Sequence, residues 1–261
     1  MRPSPVFLGF LGAAIAAGTL TWSIETPGSR LGDFAVFVFV LAAWVVSLSL
    51  HEFAHAYSAY RAGDRSVEAA GYLTLNPFKY AHPLLSIVLP LLFIVQGGIG
   101  LPGGAVYLHR HAFRSKASQS IAAAAGPLTN VAFAVVTLAV VRSHVSIQDG
   151  FFTVSGGHPR FWTGLAFFGL LQITAAVLNL LPIPGLDGWA IIEPYLDPAT
   201  VQGAEKIKPW GMLGVIVLLQ ANEINNWFFS FVNTIYDWSG VPRVAAGVGH
   251  EFFRFWLKSP L

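Results

Sequence analysis

One stretch of the sequence, residues 34–60, contains a single formally charged side chain, that of Glu52. The stretch is 27 residues long, and about 20 consecutive apolar residues are enough for a helix to cross the hydrocarbon core of a bilayer. At about 1.5 Å of rise per residue, Glu52 lies about 13 Å along such a helix from Arg61, the next charged residue. An ionisable side chain at that depth is costly and therefore marks a candidate functional site inside a membrane span.

The composition extends this conclusion to the whole chain. Of its 261 residues, 54% are hydrophobic and 11% are charged, whereas about a quarter of the residues of an ordinary soluble domain are charged. A single domain of this size cannot bury so much apolar surface within itself, so part of that surface must face lipid. The chain has no cysteine, so any metal ion must be bound by His, Asp or Glu. A net charge of +2 without a long basic run argues against a nucleic-acid partner.

Three further stretches predict membrane spans, namely residues 6–20, 117–141 and 161–181. The first also resembles a secretory signal peptide, but we favour a retained first span because later spans follow it. Residues 84–95 contain Pro90 and are too short to cross, which predicts a re-entrant hairpin. Residues 211–219 and 227–236 predict one broken span or two half-helices, and residues 242–261 predict an interfacial amphipathic helix.

These patterns predict an all-α polytopic membrane protein with about five to six transmembrane helices. We expect one integral membrane domain over residues 1–261, with its core in residues 34–200. Lys and Arg residues near the span ends fall nine to three in favour of one side. The excess of positive charge on cytoplasmic loops then puts the N-terminus and residues 61–116 and 182–210 in the cytoplasm of a multi-pass cell-membrane protein.

The span over residues 34–60 contains His51, Glu52 and His55 in the order H-E-x-x-H. Residues four apart lie on one face of a helix, so the two imidazoles can bind one metal ion. Glu52 is placed to act as a general base on water at that metal. The alternative is a set of polar residues that are hydrogen-bonded within a helix bundle.

Two histidines leave a catalytic zinc ion one protein ligand short. Asp187 is a candidate for the third, because it follows a segment with two prolines and two glycines, residues 179–188, which breaks the fourth span at membrane depth. Irregular backbone is tolerated there only where protein or a water-filled cavity receives it. An ordinary helix N-cap is an equally good interpretation of Asp187, and spacing does not separate the two.

The order of these motifs resembles the site-2 protease family of intramembrane zinc metalloproteases. The similarity covers about residues 34–200 and includes H-E-x-x-H, the segment Gly126-Pro127-Leu-Thr-Asn130, and the segment from Asn179 to the Leu-Asp-Gly at Asp187. It implies that His51, His55 and Asp187 bind one Zn²⁺ ion per chain. It also implies that Glu52 is the general base and that Asn130 and Asn179 are polar groups near the site. The chain resembles compact prokaryotic members without a PDZ or CBS domain.

The resemblance implies cleavage of transmembrane protein substrates within or near the bilayer, with the active site towards the cytoplasm. A substrate helix must unwind before a peptide carbonyl becomes accessible. A short β segment near the cytoplasmic face is expected to hold it by strand addition; its residues are Gly71, Tyr72, Leu73, Thr74 and Leu75.

Other histidines and glycines are weaker candidates for a role at the site. His109 and His111 either approach the metal as an inhibitory ligand or form an interfacial basic patch, and the glycine-rich residues 97–104 are a candidate gate for water. Two other functions use the same features: a membrane metal-binding or transport protein, and a catalytically silent scaffold of the same fold. The near isolation of Glu52 and Asp187 among the spans argues against transport, and the presence of Glu52 argues against a scaffold. The sequence does not indicate the substrate or the oligomeric state.

Overall fold

The computed structural model describes residues 2–80 and 112–257. Most of these residues are helical, and two short strands form the sheet. In chain order the elements are α1 (Pro5–Ser23), α2 (Arg30–Ala62), α3 (Ser66–Ala69), α4 (Lys116–Arg142), β1 (Val145–Gln148), β2 (Phe151–Val154), α5 (Pro159–Asn179), α6 (Asp187–Ile192), α7 (Pro198–Ile207), α8 (Gly211–Leu218), α9 (Asn222–Asp237) and α10 (Arg243–Phe253).

Four of the described helices, α1, α2, α4 and α5, are long and apolar enough to cross a membrane. They coincide with the four uninterrupted spans that the sequence predicts, and their length and apolar composition indicate a membrane protein. Helices α8 and α9 are separate and shorter, so the apolar C-terminal region is interrupted as expected. The predicted re-entrant hairpin at residues 84–95 lies outside the described residues, as do residues 97–104 and both His109 and His111.

Helices α2 and α5 form the centre of the bundle. In their most hydrophobic windows 67% and 78% of residues are buried, against 28% for α1 and 33% for α4. The outer face of α4 presents Ile121, Leu128 and Val135, each more than 60% exposed. Since a water-facing surface would not carry such a row of side chains, this face is suited to lipid.

Small residues allow close contacts around α5. A Cβ atom on Gly169 would lie 2.6 Å from the Leu138 side chain of α4, and one on Gly249 of α10 would lie 2.0 Å from the Thr163 carbonyl oxygen. Close approach at small residues is typical of helix packing in membranes. Within the predicted C-terminal segment, residues 243–253 form helix α10, whose Phe253 packs into the protein core; an interfacial location of this segment stays a prediction.

The prediction of a β segment at residues 71–75 is wrong. Tyr72–Thr74 form a single 3₁₀ turn, bracketed by Gly71 and Leu75 with φ values of +78° and +57°. The Gly71 carbonyl accepts hydrogen bonds from both the backbone N–H and the hydroxyl of Thr74. These bonds curl the backbone, so the segment offers no extended edge. Leu73 instead packs against α2, and the Thr74 carbonyl accepts from the backbone N–H of Ser4.

The sheet lies elsewhere, between α4 and α5. Strands β1 and β2 pair antiparallel, with Val145 opposite Val154. Asp149 and Gly150 join them with φ values of +52° and +81°, and a two-residue Asp-Gly loop of this conformation matches the twist of a hairpin. This Asp-Gly pair between two apolar runs is the sequence signal that predicts the hairpin, and our sequence analysis did not use it.

The C-terminal end of α2, the N-terminal end of α4 and helix α6 lie together. Arg114 donates its backbone N–H to the Ala62 carbonyl at 3.3 Å, and the Ser120 hydroxyl donates to the Ile191 carbonyl at 2.6 Å. The segment between α2 and α4 therefore leaves and returns at one end of the bundle, which we call the site end. The hairpin and the first turn of α5 lie at the opposite end.

Candidate metal centre

Three potential metal ligands meet at the site end. His51 and His55 are four residues apart on α2, and Asp187 begins α6. The two imidazole Nε2 atoms are 3.1 Å apart. Asp187 places Oδ2 at 3.3 Å from Nε2 of His51 and Oδ1 at 3.3 Å from Nε2 of His55. Both imidazoles are buried, with side-chain exposures of 5% for His51 and 7% for His55.

These distances fit a tetrahedral metal ion. Zinc binds histidine nitrogen and carboxylate oxygen at about 2.0–2.2 Å, and the ligand atoms of such a tetrahedron are about 3.3–3.5 Å apart. The three measured separations lie at or just below this range. Asp187 Oδ2 is buried and accepts no hydrogen bond from the described part of the chain, so the centre is suited to a cation. His51, His55 and Asp187 thus form a cluster that can hold a metal ion.

Hydrogen bonds orient both imidazoles towards this common point. Nδ1 of His51 donates to Oδ1 of Asn130 at 2.5 Å, and Nδ1 of His55 donates to the Ala122 carbonyl at 2.7 Å. With the hydrogen on Nδ1, each Nε2 keeps its lone pair for a metal ion. Both partners lie on α4, so the packing of α4 against α2 sets the orientation of the two rings.

Gly126 of α4 leaves the space in front of the imidazoles open. A Cβ atom at this position would lie 2.1 Å from Nε2 of His55 and 2.5 Å from Nε2 of His51. These are close to zinc–nitrogen bond lengths, so any side chain at residue 126 would compete with a metal ion for the same volume. The glycine of the Gly-Pro motif therefore keeps this volume free of side-chain atoms.

The broken end of α5 brings Asp187 to the cluster. Gly185 has a φ value of +101°, and a Cβ atom on Gly188 would lie 2.2 Å from the Leu180 carbonyl oxygen. A left-handed residue and a close backbone approach both favour glycine. The chain can thus turn sharply after α5 and start α6 against it. The N-cap residue is Leu186 and makes no side-chain cap, so the carboxylate of Asp187 faces the histidines and does not cap the helix.

Burial opposes ionisation of the Asp187 carboxyl, but the neighbouring imidazoles of His55 and His51 outweigh it and hold its pKa below the usual range.

Glu52 and Asn179 are the remaining polar residues that the sequence singles out. Glu52 is 3% exposed and directly follows His51. Asn179, the last residue of α5, lines a cavity of about 10 Å³ together with His51 and Asn130, which is about the volume that one water molecule needs. The 71–75 turn packs against α2 beyond His55, near Ala56 and Ala59. Gln172 and Ser47, both buried beside Asn130, are the residues that our sequence analysis missed.

Three relatives share most of this chain. A protein of Mycolicibacterium smegmatis named "Putative zinc metalloprotease Rip2" is 46% identical over 256 residues, or 98% of this chain and 95% of the relative. Rip2 of Mycobacterium tuberculosis has the same identity and coverage. The chain belongs to the site-2 protease family. YwhC of Bacillus subtilis, also named as a zinc metalloprotease, is 28% identical over 69% of this chain and 79% of its own length.

No family model and no solved structure matches this site-2 protease family member. The matches to Rip2 cover nearly the whole chain. The similarity to YwhC covers about two thirds of the chain.

Proposed function

We propose that the protein is an intramembrane zinc metalloprotease that hydrolyses peptide bonds of transmembrane substrates within or near the bilayer. The observation that carries this proposal is the cluster of His51, His55 and Asp187, in which both histidines and the neighbouring Glu52 lie on a helix long and apolar enough to span a membrane. The names of Rip2 and YwhC support zinc and a metalloprotease activity.

In this proposal His51, His55 and Asp187 hold one zinc ion per chain. Zinc in such a centre supplies a Lewis acid that polarises a carbonyl and lowers the pKa of water. One carboxylate and two imidazoles are three protein ligands, so a zinc ion held by them would keep a fourth position for water or substrate, as catalytic rather than structural zinc sites do.

Glu52 is the proposed general base and acid. It takes a proton from the attacking water and returns it to the leaving amide nitrogen, so the carboxylate is regenerated in each turnover. In the H-E-x-x-H motif the glutamate that follows the first histidine has the role of general base and is not a metal ligand. Asn130 orients His51, and Asn179 faces the cavity beside that histidine, where it is placed to donate to a polar group of the substrate.

The location of the centre supports a substrate from the membrane. His51, Glu52 and His55 lie on a helix whose most hydrophobic window is largely buried, with α1 and α4 exposing apolar surface around it. A transmembrane helix must unwind locally at this depth, because its carbonyls are otherwise engaged in helical hydrogen bonds. We place the site end at the cytoplasmic side of the cell membrane, from the distribution of Lys and Arg.

The test is cleavage of single-span substrates by the purified protein in lipid vesicles. We expect cleavage of at least one member of a substrate panel, loss of cleavage on addition of a zinc chelator, and recovery when zinc is restored. The Ser49→Ala variant is a control for substitution on α2 and should cleave like the parent protein. Ser49 is buried on α2, but its hydroxyl bonds only to the Val45 carbonyl among the described residues. Zinc binding without cleavage of any substrate would favour the metal-binding or transport alternative. Absence of both would favour the silent scaffold.

A further inference from the structure

A chain of four hydrogen bonds leads from the candidate metal centre through the interior of the bundle. Nδ1 of His51 donates to Asn130 Oδ1 at 2.5 Å, and Nδ2 of Asn130 donates to Gln172 Oε1 at 2.8 Å. Nε2 of Gln172 donates to Ser47 Oγ at 2.9 Å, and the Ser47 hydroxyl donates to the Trp44 carbonyl at 2.8 Å. The hydrogen-bond chain therefore starts and ends on α2 and passes through α4 and α5.

The last bond fixes the direction of all the others. A backbone carbonyl can only accept, so the Ser47 hydroxyl uses its single hydrogen on Trp44 and is left to accept. Gln172 must then turn its NH₂ group towards Ser47 and its carbonyl oxygen towards Asn130. Asn130 in turn uses its NH₂ group on Gln172 and presents its carbonyl oxygen to His51.

This direction matters because an amide side chain has two different ends. If Asn130 turned its NH₂ group towards His51, it would require Nδ1 to accept. The imidazole hydrogen would then lie on Nε2, and that nitrogen would have no lone pair for a metal ion. Nothing in the Asn130 side chain itself excludes this flipped orientation. The exclusion comes from Gln172, whose carbonyl oxygen can only accept.

Burial strengthens the constraint. Gln172 is 0% exposed, Ser47 1% and Asn130 4%. No bulk water reaches these groups to replace a lost partner, and an unpaired polar group at such a site costs about 1–3 kcal/mol. A satisfied buried network of this kind holds one arrangement against the alternatives.

We propose that Gln172 is a positioning residue for the metal centre. It holds the Asn130 amide in one orientation and thereby keeps the hydrogen of His51 on Nδ1 and the lone pair of Nε2 towards the metal ion. This inference rests on the proposed zinc function. Gln172 lies on α5 and bonds to Asn130 and Ser47, so it acts on His51 through Asn130.

The test is the zinc dissociation constant of the purified protein, measured by competition with a chelator. Gln172→Met keeps the length of the side chain but removes its hydrogen bonds, and we expect zinc to bind about 10-fold more weakly. Ser47→Ala removes only the anchor of the hydrogen-bond chain, and we expect a loss of roughly 3-fold.

Each variant has a matched control. Thr174 is buried on α5 two residues from Gln172, and its hydroxyl bonds only to the Leu170 carbonyl among the described residues. Ser49 is the control for Ser47: it is buried on α2 two residues away, and its hydroxyl bonds only to the Val45 carbonyl among the described residues. Thr174→Val and Ser49→Ala should leave the zinc dissociation constant within about twofold of the parent value, since neither side chain belongs to the hydrogen-bond chain.

Two further measurements separate positioning from a general structural role. Gln172→Glu keeps an oxygen that accepts from Asn130 in either protonation state, so it should restore zinc binding to within about threefold. In an Asn130→Leu background, Gln172→Met should weaken zinc binding no further, because the hydrogen-bond chain is already broken next to His51.

The inference is overturned if Gln172→Met binds zinc as tightly as Thr174→Val, if Gln172→Glu fails to restore affinity, or if the losses from Asn130→Leu and Gln172→Met multiply. A parent protein that binds no zinc would instead overturn the proposed function. That result is visible before any variant is made, so the two failures are distinguishable.

Discussion

Helix α2 carries a buried ionic group near each end, and the two groups are built differently. At the N-terminal end, Asp33 pairs with Arg160 at 2.9 Å, and the same guanidinium donates to the Ile24 carbonyl at 3.0 Å. At the site end, Asp187 faces two imidazoles, and none of the described Lys or Arg side chains pairs with it. The first group contains its own counter-charge. The second requires a proton or a metal ion between its members.

A structural buried charge in this fold has its counter-charge within the protein, whereas a functional one does not. Asp33 and Arg160 are each at most 3% exposed, and together they tie α2 to α5 and to the end of α1. A complete pair of this kind has no need of a ligand. In the site-end cluster each Asp187 carboxylate oxygen lies 3.3 Å from one imidazole Nε2, and the imidazole Nδ1 hydrogens are engaged elsewhere by Asn130 and Ala122. It is therefore arranged around an external cation.

The largest expected effect is on turnover. Glu52→Gln removes the proposed proton carrier but no metal ligand, so we expect zinc to be retained while cleavage falls by roughly 10²–10⁴-fold. The measurement is the initial rate of substrate cleavage together with the zinc content of the same preparation. Retained cleavage would show that Glu52 is not the base, and loss of zinc would show that it also supports the ligands.

Gly126→Ala tests whether the space in front of the imidazoles is needed for metal. The added methyl group would lie within 2.5 Å of both Nε2 atoms, so we expect zinc occupancy to fall to about a tenth or less. Gly12→Ala on α1 is the matched control, because a Cβ atom there meets nothing within 4 Å. Normal zinc content in Gly126→Ala would place the ion elsewhere.

At the other end of α2 we expect an effect on stability and not on zinc. Arg160→Met removes the guanidinium that pairs with the buried Asp33 carboxylate, which should lower the free energy of unfolding by about 3–5 kcal/mol. Adding Asp33→Asn should recover most of that loss. The zinc content of the folded fraction should equal that of the parent. Zinc loss in Arg160→Met at a temperature where the protein remains folded would mean that the two ends are not independent.

The two ends are also expected on opposite sides of the membrane, and the cysteine-free chain allows a direct test. Glu68→Cys and Ser115→Cys should react with an impermeant thiol reagent from the cytoplasm, and Ser155→Cys only from the other side; all three residues are exposed. Labelling of residues 68 and 115 from opposite sides would contradict their placement at one end of the bundle.

Much of the candidate site could be predicted from the sequence, because its spacing is local. H-E-x-x-H on a long apolar helix fixes the relative position of His51 and His55 through helical geometry alone. For Asp187 the sequence left a ligand and a helix cap equally open. Only the packing of α6 against α4 and α5 decides between them, and that packing depends on contacts between distant parts of the chain.

The buried polar residues that orient the metal ligands, Gln172 and Ser47, could not be predicted in the same way. Gln172 and Ser47 are 125 residues apart, and neither belongs to a motif. The available signal was that Gln172 is an isolated amide in an apolar span, two helical turns before Asn179. The prediction of a strand at residues 71–75 is wrong because it used only the alternation of side-chain types, which does not determine the backbone conformation. The left-handed conformations of Gly71 and Leu75 close this segment into a turn.

The most direct test of the central claim is the zinc content of the purified protein by elemental analysis, compared with that of His51→Ala and Asp187→Ala. We expect about one zinc ion per parent chain and less than about a tenth of that in each variant, because each removes one of three protein ligands. Melting curves of the variants verify that they remain folded. Full zinc occupancy in both folded variants would contradict the assignment of this cluster as the metal centre.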